Sequence, residues 1–186
     1  MKNKLKTAQE AVADIQDGAT IMVGGFMACG TPEILIDALA EKNVRNLTII
    51  CNDAGAPGRG VGKLLSNGQI KTLIASHVGL NPEVAQRMNT DVPEDKLECI
   101  LVPQGTLAER VRAGGAGLGG FLTPTGVGTI VAEGKQVINI DGRDYLLETP
   151  LKADFALIRG SVTDKFGNTT YNGATRTFNP MMATAA

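Results

Sequence analysis

Four short apolar runs, each followed by a break and then a helical pattern, constrain this chain more than any other feature. They are Thr20–Val23, Leu47–Cys51, Ile70–Ala75 and Leu97–Val102. Apolar runs of this length without polar alternation read as strands buried on both faces. Helix signals fall before and between them. Thr7 and Glu10 form a capping box for a first helix, which Gly18 stops. Thr31 and Pro32 supply a cap and a first-turn proline for a helix carrying Ile34, Leu35, Ala38 and Leu39 on one face. Asn81-Pro82 opens another helix. Thr106 and Glu109 form a second capping box, for a helix after the fourth run. Strand–helix alternation predicts an α/β fold: an open, mostly parallel sheet flanked by helices.

The pattern changes after Ala113. Residues Gly114–Gly120 form a glycine-dense loop. Asp141-Gly142, between Val137–Ile140 and Tyr145–Leu147, signals a β-hairpin elaboration. Ala153–Ile158 reads as a further strand, Phe166-Gly167-Asn168 as a turn, and the residues from Pro180 as the first turns of a helix. Asn52–Gly62 reads as a loop. No linker or repeat divides the sequence, so residues 1–186 are expected to form one domain.

Composition removes several functions. Eighteen Lys and Arg against 19 Asp and Glu leave a net charge of −1, so no basic field attracts nucleic acid or anionic lipid. With 43% hydrophobic residues the chain can fill a core, and no apolar run reaches the ~20 residues that span a bilayer. The start, Met1-Lys2-Asn3-Lys4, has no apolar signal core. A soluble cytoplasmic protein is the expectation. Cys29, Cys51 and Cys99 are odd in number and far apart, and no C-x-x-C occurs. This argues for reduced thiols and against a structural zinc site. A single histidine, His77, gives little support to a triad or a metal centre; it reads as a hydrogen-bonded structural residue. No metal is expected.

Glycine makes up 23 of 186 residues, and two nucleotide motifs need testing. Gly115–Gly120 matches G-x-G-x-x-G, but a helix precedes it and Phe121-Leu122-Thr123-Pro124 does not continue as one, so the dinucleotide fingerprint fails. Gly62-Lys63 resembles the end of a P-loop, yet Pro57 stands at the first glycine position and Leu64 replaces Ser/Thr. In a parallel sheet, ligands bind beyond the carboxyl ends of the strands. The loops Gly24–Gly30 and Asn52–Gly62, and the loop near Gln104, should lie there. Gly24-Gly25 either lets backbone N–H groups approach a ligand or only makes a tight turn; the local sequence does not decide.

The segment Asp17-Gly18-Ala19-Thr20-Ile21-Met22-Val23-Gly24-Gly25-Phe26-Met27-Ala28-Cys29-Gly30-Thr31-Pro32 resembles the signature of the class I coenzyme A transferases. Three further blocks are similar to the same family in the same order. They are Asn52-Asp53; the stretch from Pro103-Gln104-Gly105 through Gly114-Gly115 to Thr123-Pro124-Thr125-Gly126; and Ala174 to Phe178-Asn179-Pro180. The resemblance covers nearly the whole chain and points to α subunits acting on short-chain acyl groups.

It implies a chemistry. A glutamate attacks an acyl-CoA, a glutamyl-CoA thioester forms, and CoA passes to an acceptor carboxylate. In the family that glutamate lies in the β half, in a Ser-Glu-Asn-Gly-like motif that this sequence lacks. The expected partner is therefore a β subunit, in an α2β2 or larger hetero-oligomer, with acyl-CoA and carboxylate as substrates and no resident cofactor. By the same resemblance, Gln104 and Asn52 are the catalytic polar groups that support the thioester oxyanion. Gly24, Gly25, Phe26, Met27, Ala28, Cys29 and Gly30 lie against CoA or its acyl group, with Cys29 only packing. The family's α subunits continue past the Asn-Pro segment, so a C-terminal strand is expected to be missing here. Two rivals remain: a sugar-phosphate isomerase or deaminase of similar sheet architecture, and a non-catalytic acyl-CoA-binding module.

Overall fold

A computed structural model describes residues 3–186. Five strands form one fully parallel sheet: β1 (Thr20–Val23), β2 (Leu47–Cys51), β3 (Ile70–Ala75), β4 (Glu98–Leu101) and, late in the chain, β8 (Phe155–Leu157). Their spatial order is β4-β3-β2-β1-β8. The chain therefore steps outward from β1 to β4 and returns to pair β8 on the other side of β1. Helix α1 (Ala8–Val12) precedes β1, and between the strands come α2 (Glu33–Lys42), α3 (Val61–Ser66), α4 (Pro82–Met88) and α5 (Gln104–Ala116). The expected α/β architecture is present.

The largely apolar character of the central strands has a direct cause. Ile21, Val23, Ile49, Cys51, Leu73 and Ala75 face a core closed by Ile36 and Leu39 of α2, Leu64 and Leu65 of α3 and Val84 of α4. Met22 and Ile50 point to the opposite face, against Leu107 and Val111 of α5 and Met182 of α6 (Asn179–Met182). With both faces covered, Ile21, Met22, Val23, Ile49 and Ile50 are buried, whereas the edge strand β4 is largely exposed at Glu98, Ile100 and Leu101, against the expectation that all four runs are buried on both faces. A three-stranded antiparallel sheet, order β5-β7-β6, lies beside α5; its strands are β5 (Phe121–Thr123), β6 (Val137–Ile140) and β7 (Arg143–Glu148). Asp141 and Gly142, both at positive φ, close the β6–β7 hairpin as expected. A short hairpin of β9 (Val162–Thr163) and β10 (Thr169–Thr170) encloses the Phe166–Asn168 turn.

Several local expectations held and several are corrected. The Thr7–Glu10 capping box forms, and the Asn81 side chain caps α4 by accepting from Glu83 N–H. The Thr106–Glu109 box does not form. Pro103 precedes the helix, which starts at Gln104, so Thr106 already lies in the first turn with its hydroxyl buried and unpartnered, and Glu109 pairs with Arg112. Thr31 does not cap α2 either; Pro32 stands at its start without a side-chain bond. Ile34 faces solvent, and the buried positions of α2 are Ile36, Ala38 and Leu39. Helix α3 was hidden at the end of the Asn52–Gly62 loop. Gly114, Gly115 and Ala116 belong to α5, not to a loop, and Gly117 ends that helix in the left-handed region.

Candidate functional site

The carboxyl ends of β2, β3 and β4 bring together a chain of polar side chains. Asn52 follows β2 and is buried. Its Oδ1 accepts from Gln104 Nε2 at 2.8 Å and from Ser76 Oγ at 2.9 Å. Its Nδ2 donates to Asp53 Oδ2 at 2.8 Å. The Asn52 carbonyl holds the backbone N–H groups of Ser76 and His77 at 2.9 and 3.2 Å, which ties the β2 and β3 ends together. Gln104 comes from the first position of α5, where the sharp turn at Pro103 after β4 places it at the sheet edge. The two residues singled out as catalytic, 52 places apart in sequence, thus share a hydrogen bond. Gln104 is exposed on its outer side, while Asn52 is not.

Asp53 was not singled out as a site residue, although the resemblance quoted it beside Asn52. It is buried, and three donors converge on its carboxylate: Met27 N–H at 2.7 Å and Asn52 Nδ2 at 2.8 Å on Oδ2, and Gly55 N–H at 2.9 Å on Oδ1. The only sequence signal was a polar pair directly after a buried strand.

The loop after β1 divides into two parts. Gly24, Gly25 and Gly30 are buried and packed by the chain's own C-terminal segment. A Cβ on Gly24 would overlap Asn179 Oδ1, and one on Gly30 would stand 2.9 Å from the Ala174 carbonyl carbon. Asn179 is wholly buried. Its Nδ2 donates to the carbonyls of Gly30, Thr175 and Thr177, and its Oδ1 accepts from Arg159 N–H at 2.8 Å. It packs between Gly24 and Arg159, just beyond the ends of β1 and β8, the switch point where doubly wound sheets usually bind ligands.

The open polar cluster lies instead over β2 to β4. Phe26 to Cys29 form the tip of the loop, closed by mutual backbone bonds between Phe26 and Cys29 at 2.9 and 2.8 Å. Met27 and Ala28 both take positive φ, at 48° and 61°, which costs non-glycine residues on the order of 1 kcal/mol each. Phe26, Met27 and Cys29 are exposed. Cys29 is therefore not a packing residue, and His77, also exposed, joins the site through its backbone.

Phe26 and Gln104, with Gly105, Ala108, Phe178 and Met181, line an open groove of about 310 Å³. Phe178 is a further non-glycine residue at positive φ, 55°. The groove is therefore apolar walls around one exposed carboxamide. Among the described residues no cluster of His, Cys, Asp and Glu could hold a metal ion, and no helix is long and apolar enough to cross a membrane.

The carboxyl edge of the parallel sheet thus carries a pair of hydrogen-bonded carboxamides beside an open apolar groove. Comparison with known proteins places this fold in a family. The family described as coenzyme A transferase matches residues 5–186, and the chain belongs to it. It is 54% identical to the acetate CoA-transferase subunit alpha of Escherichia coli (strain K12), over all of this chain and 83% of the relative. It is 53% identical to the acetoacetyl-CoA:acetate/butyrate CoA transferase alpha subunit of Clostridium acetobutylicum, over all of this chain and 84% of the relative. Among solved structures, the acyl-CoA transferase YdiF of E. coli O157:H7, in a thioester complex with CoA, superposes with a TM-score of 0.80 at 27% identity. That match covers 99% of this chain but 40% of the longer YdiF polypeptide. The chain is thus a CoA-transferase subunit, and neither the isomerase nor the binding-module reading is favoured.

Proposed function

We propose that this chain is the α half of a transferase that moves CoA between a short-chain acyl-CoA (acetyl-, butyryl- or acetoacetyl-CoA) and a short-chain carboxylate. The attacking glutamate, and the glutamyl-CoA thioester it forms, belong to a partner β subunit. The assembly is α2β2 or larger, works in the cytoplasm, and takes CoA as substrate without a resident cofactor. The single observation that carries this reading is the Asn52–Gln104 carboxamide pair, 2.8 Å apart, at the head of an apolar groove.

Attack on a thioester places negative charge on its carbonyl oxygen. Preorganised donors in a water-poor site stabilise that charge. Gln104 Nε2 spends one hydrogen on Asn52 and keeps a second for the oxyanion. Phe26, Met27, Ala28 and Cys29 form the exposed tip that touches CoA or the acyl group, and Gly24, Gly25 and Gly30 seat that tip.

Asp53, the buried carboxylate beside the carboxamide pair, does not compete for the nucleophile's role. Both oxygens of Asp53 are occupied by N–H donors and face away from solvent. The test is reconstitution. The isolated chain should show no transfer, and addition of the cognate β subunit should restore it. Transfer by this chain alone would refute the proposal.

A further inference from the structure

We propose that Asp53 is a positioning residue that sets the direction of the whole amide chain and thereby aims the Gln104 donor. The inference rests on the reading of Gln104 given above.

Asp53 is 7% exposed and has no cationic partner among the described residues. Its charge is met only by N–H groups. An ionised carboxylate accepts and never donates. Asn52 must therefore turn its nitrogen toward Asp53, at 2.8 Å, and its oxygen the other way. That oxygen can only accept, so Gln104 must present a hydrogen to it, at 2.8 Å, while the single Ser76 hydroxyl hydrogen lies within reach of both this oxygen and the Asn52 carbonyl, at 2.9 and 2.8 Å. Gln104 is left with its nitrogen at the Asn52 end and one N–H unspent.

If the Asn52 amide turned over, its oxygen would face the carboxylate and its nitrogen would face Gln104. Gln104 would then turn as well, carrying its N–H groups away from Asn52. Either amide alone could adopt either orientation. The buried charge removes that freedom.

The same Oδ2 also accepts from Met27 N–H at 2.7 Å, inside the turn where Met27 and Ala28 are held at positive φ. One oxygen therefore fixes both the Gln104 amide and the turn that carries Phe26, the two groups that line the groove together. Three facts converge on this role: the burial, the acceptor-only chemistry, and the position between a strained turn and an amide relay.

The test is a double-mutant cycle in the assembled α–β enzyme. Asp53→Ala should lower kcat roughly 10- to 100-fold, up to the loss expected for one oxyanion donor. In a Gln104→Ala background the same substitution should cost several-fold less in kcat, the remainder being the share that passes through the Met27 turn, because residues acting as a unit are not additive. Asp53→Asn, which keeps the shape but places an N–H against a donor, should show the same non-additivity if the alanine variant does not assemble.

A second readout needs no turnover. In chain labelled with 15N-glutamine, the side-chain amide signal that disappears in Gln104→Ala should move in both Asp53 variants. Equal losses with and without Gln104, or an unmoved amide signal, would overturn the inference. A wild-type assembly that transfers no CoA would defeat the functional reading alone, and the amide signal would still decide the role of Asp53.

Discussion

Replacing Gly24 with alanine should unseat the C-terminal segment from the sheet. Gly24 has an ordinary backbone conformation, so the cost is steric. The added Cβ would overlap Asn179 Oδ1 and stand 2.5 Å from its Cγ and 3.2 Å from its Cα. The side chain cannot swing into solvent, because Asn179 is 0% exposed. Moving it forfeits the two N–H donors it shares among the carbonyls of Gly30, Thr175 and Thr177, and one bond accepted from Arg159 N–H. At about 1 kcal/mol net for each, the loss is about 3 kcal/mol. For a chain of this size that is a fall in Tm of roughly 6–12 °C, at 2–4 °C per kcal/mol.

The assay is thermal and urea unfolding followed by far-ultraviolet circular dichroism. Gly119→Ala is the control, since a Cβ there meets nothing within 4 Å; it should stay within about 0.5 kcal/mol of wild type. Shortening the obstacle should relieve the clash, so Gly24→Ala should cost less in an Asn179→Ala background. A Gly24→Ala loss below about 1 kcal/mol would show that this close approach does not hold the segment.

Three further outcomes are expected. Gln104→Ala should lower kcat of the assembled enzyme by about 10²–10³ with assembly intact by size-exclusion chromatography; unchanged turnover would remove Gln104 from the oxyanion role. Lys135→Ala should destabilise the chain by about 2–3 kcal/mol, less than fully orphaning a buried charge because Arg110 remains near. It strips the 2.6 Å partner from Glu148, which is 2% exposed, with Arg110 Nε 3.9 Å away. An unchanged urea midpoint would contradict it. Iodoacetamide on the native chain at mildly alkaline pH should modify Cys29 first, read by peptide mass spectrometry. Burial, helped by the Asp53 charge, pushes the Cys51 thiol well up, and burial also raises Cys99, so neither forms thiolate readily. Modification of Cys51 as fast as Cys29 in folded protein would refute this.

What was legible in the sequence follows from how locally each feature is determined. The central parallel strands were readable because burial on both faces leaves largely apolar runs, although β4 at the edge proved mostly exposed, and Asp141-Gly142 was readable because its turn needs positive φ twice. Thr106 misled because a Thr-x-x-Glu spacing also occurs inside helices. Pro103, with φ near −51°, leads directly into the helix two residues earlier. Six residues of α3 between glycines carry too short a period to register. Gly114 and Gly115 read as a loop, yet they are helical glycines that let Leu151 and Thr184 approach α5 closely.

At the site, Asn52 and Gln104 came from family resemblance, and no local pattern joined them. Their contact depends on β2 and β4 lying two strands apart in one sheet. The buried role of Gly24 was hidden for the same reason, since Asn179 stands more than 150 positions away in sequence. Asp53 escaped because a polar pair after a buried strand does not by itself mark a carboxylate whose partners are backbone and amide N–H groups.

The account rests on this chain supplying donors to a reaction whose nucleophile is carried elsewhere. The direct measurement is to incubate the assembled α–β enzyme with acyl-CoA, reduce the covalent thioester with tritiated borohydride, separate the subunits and locate the label. The label should sit on a glutamate of the β subunit, with none on this chain. Label on any Asp or Glu of this chain would contradict the account.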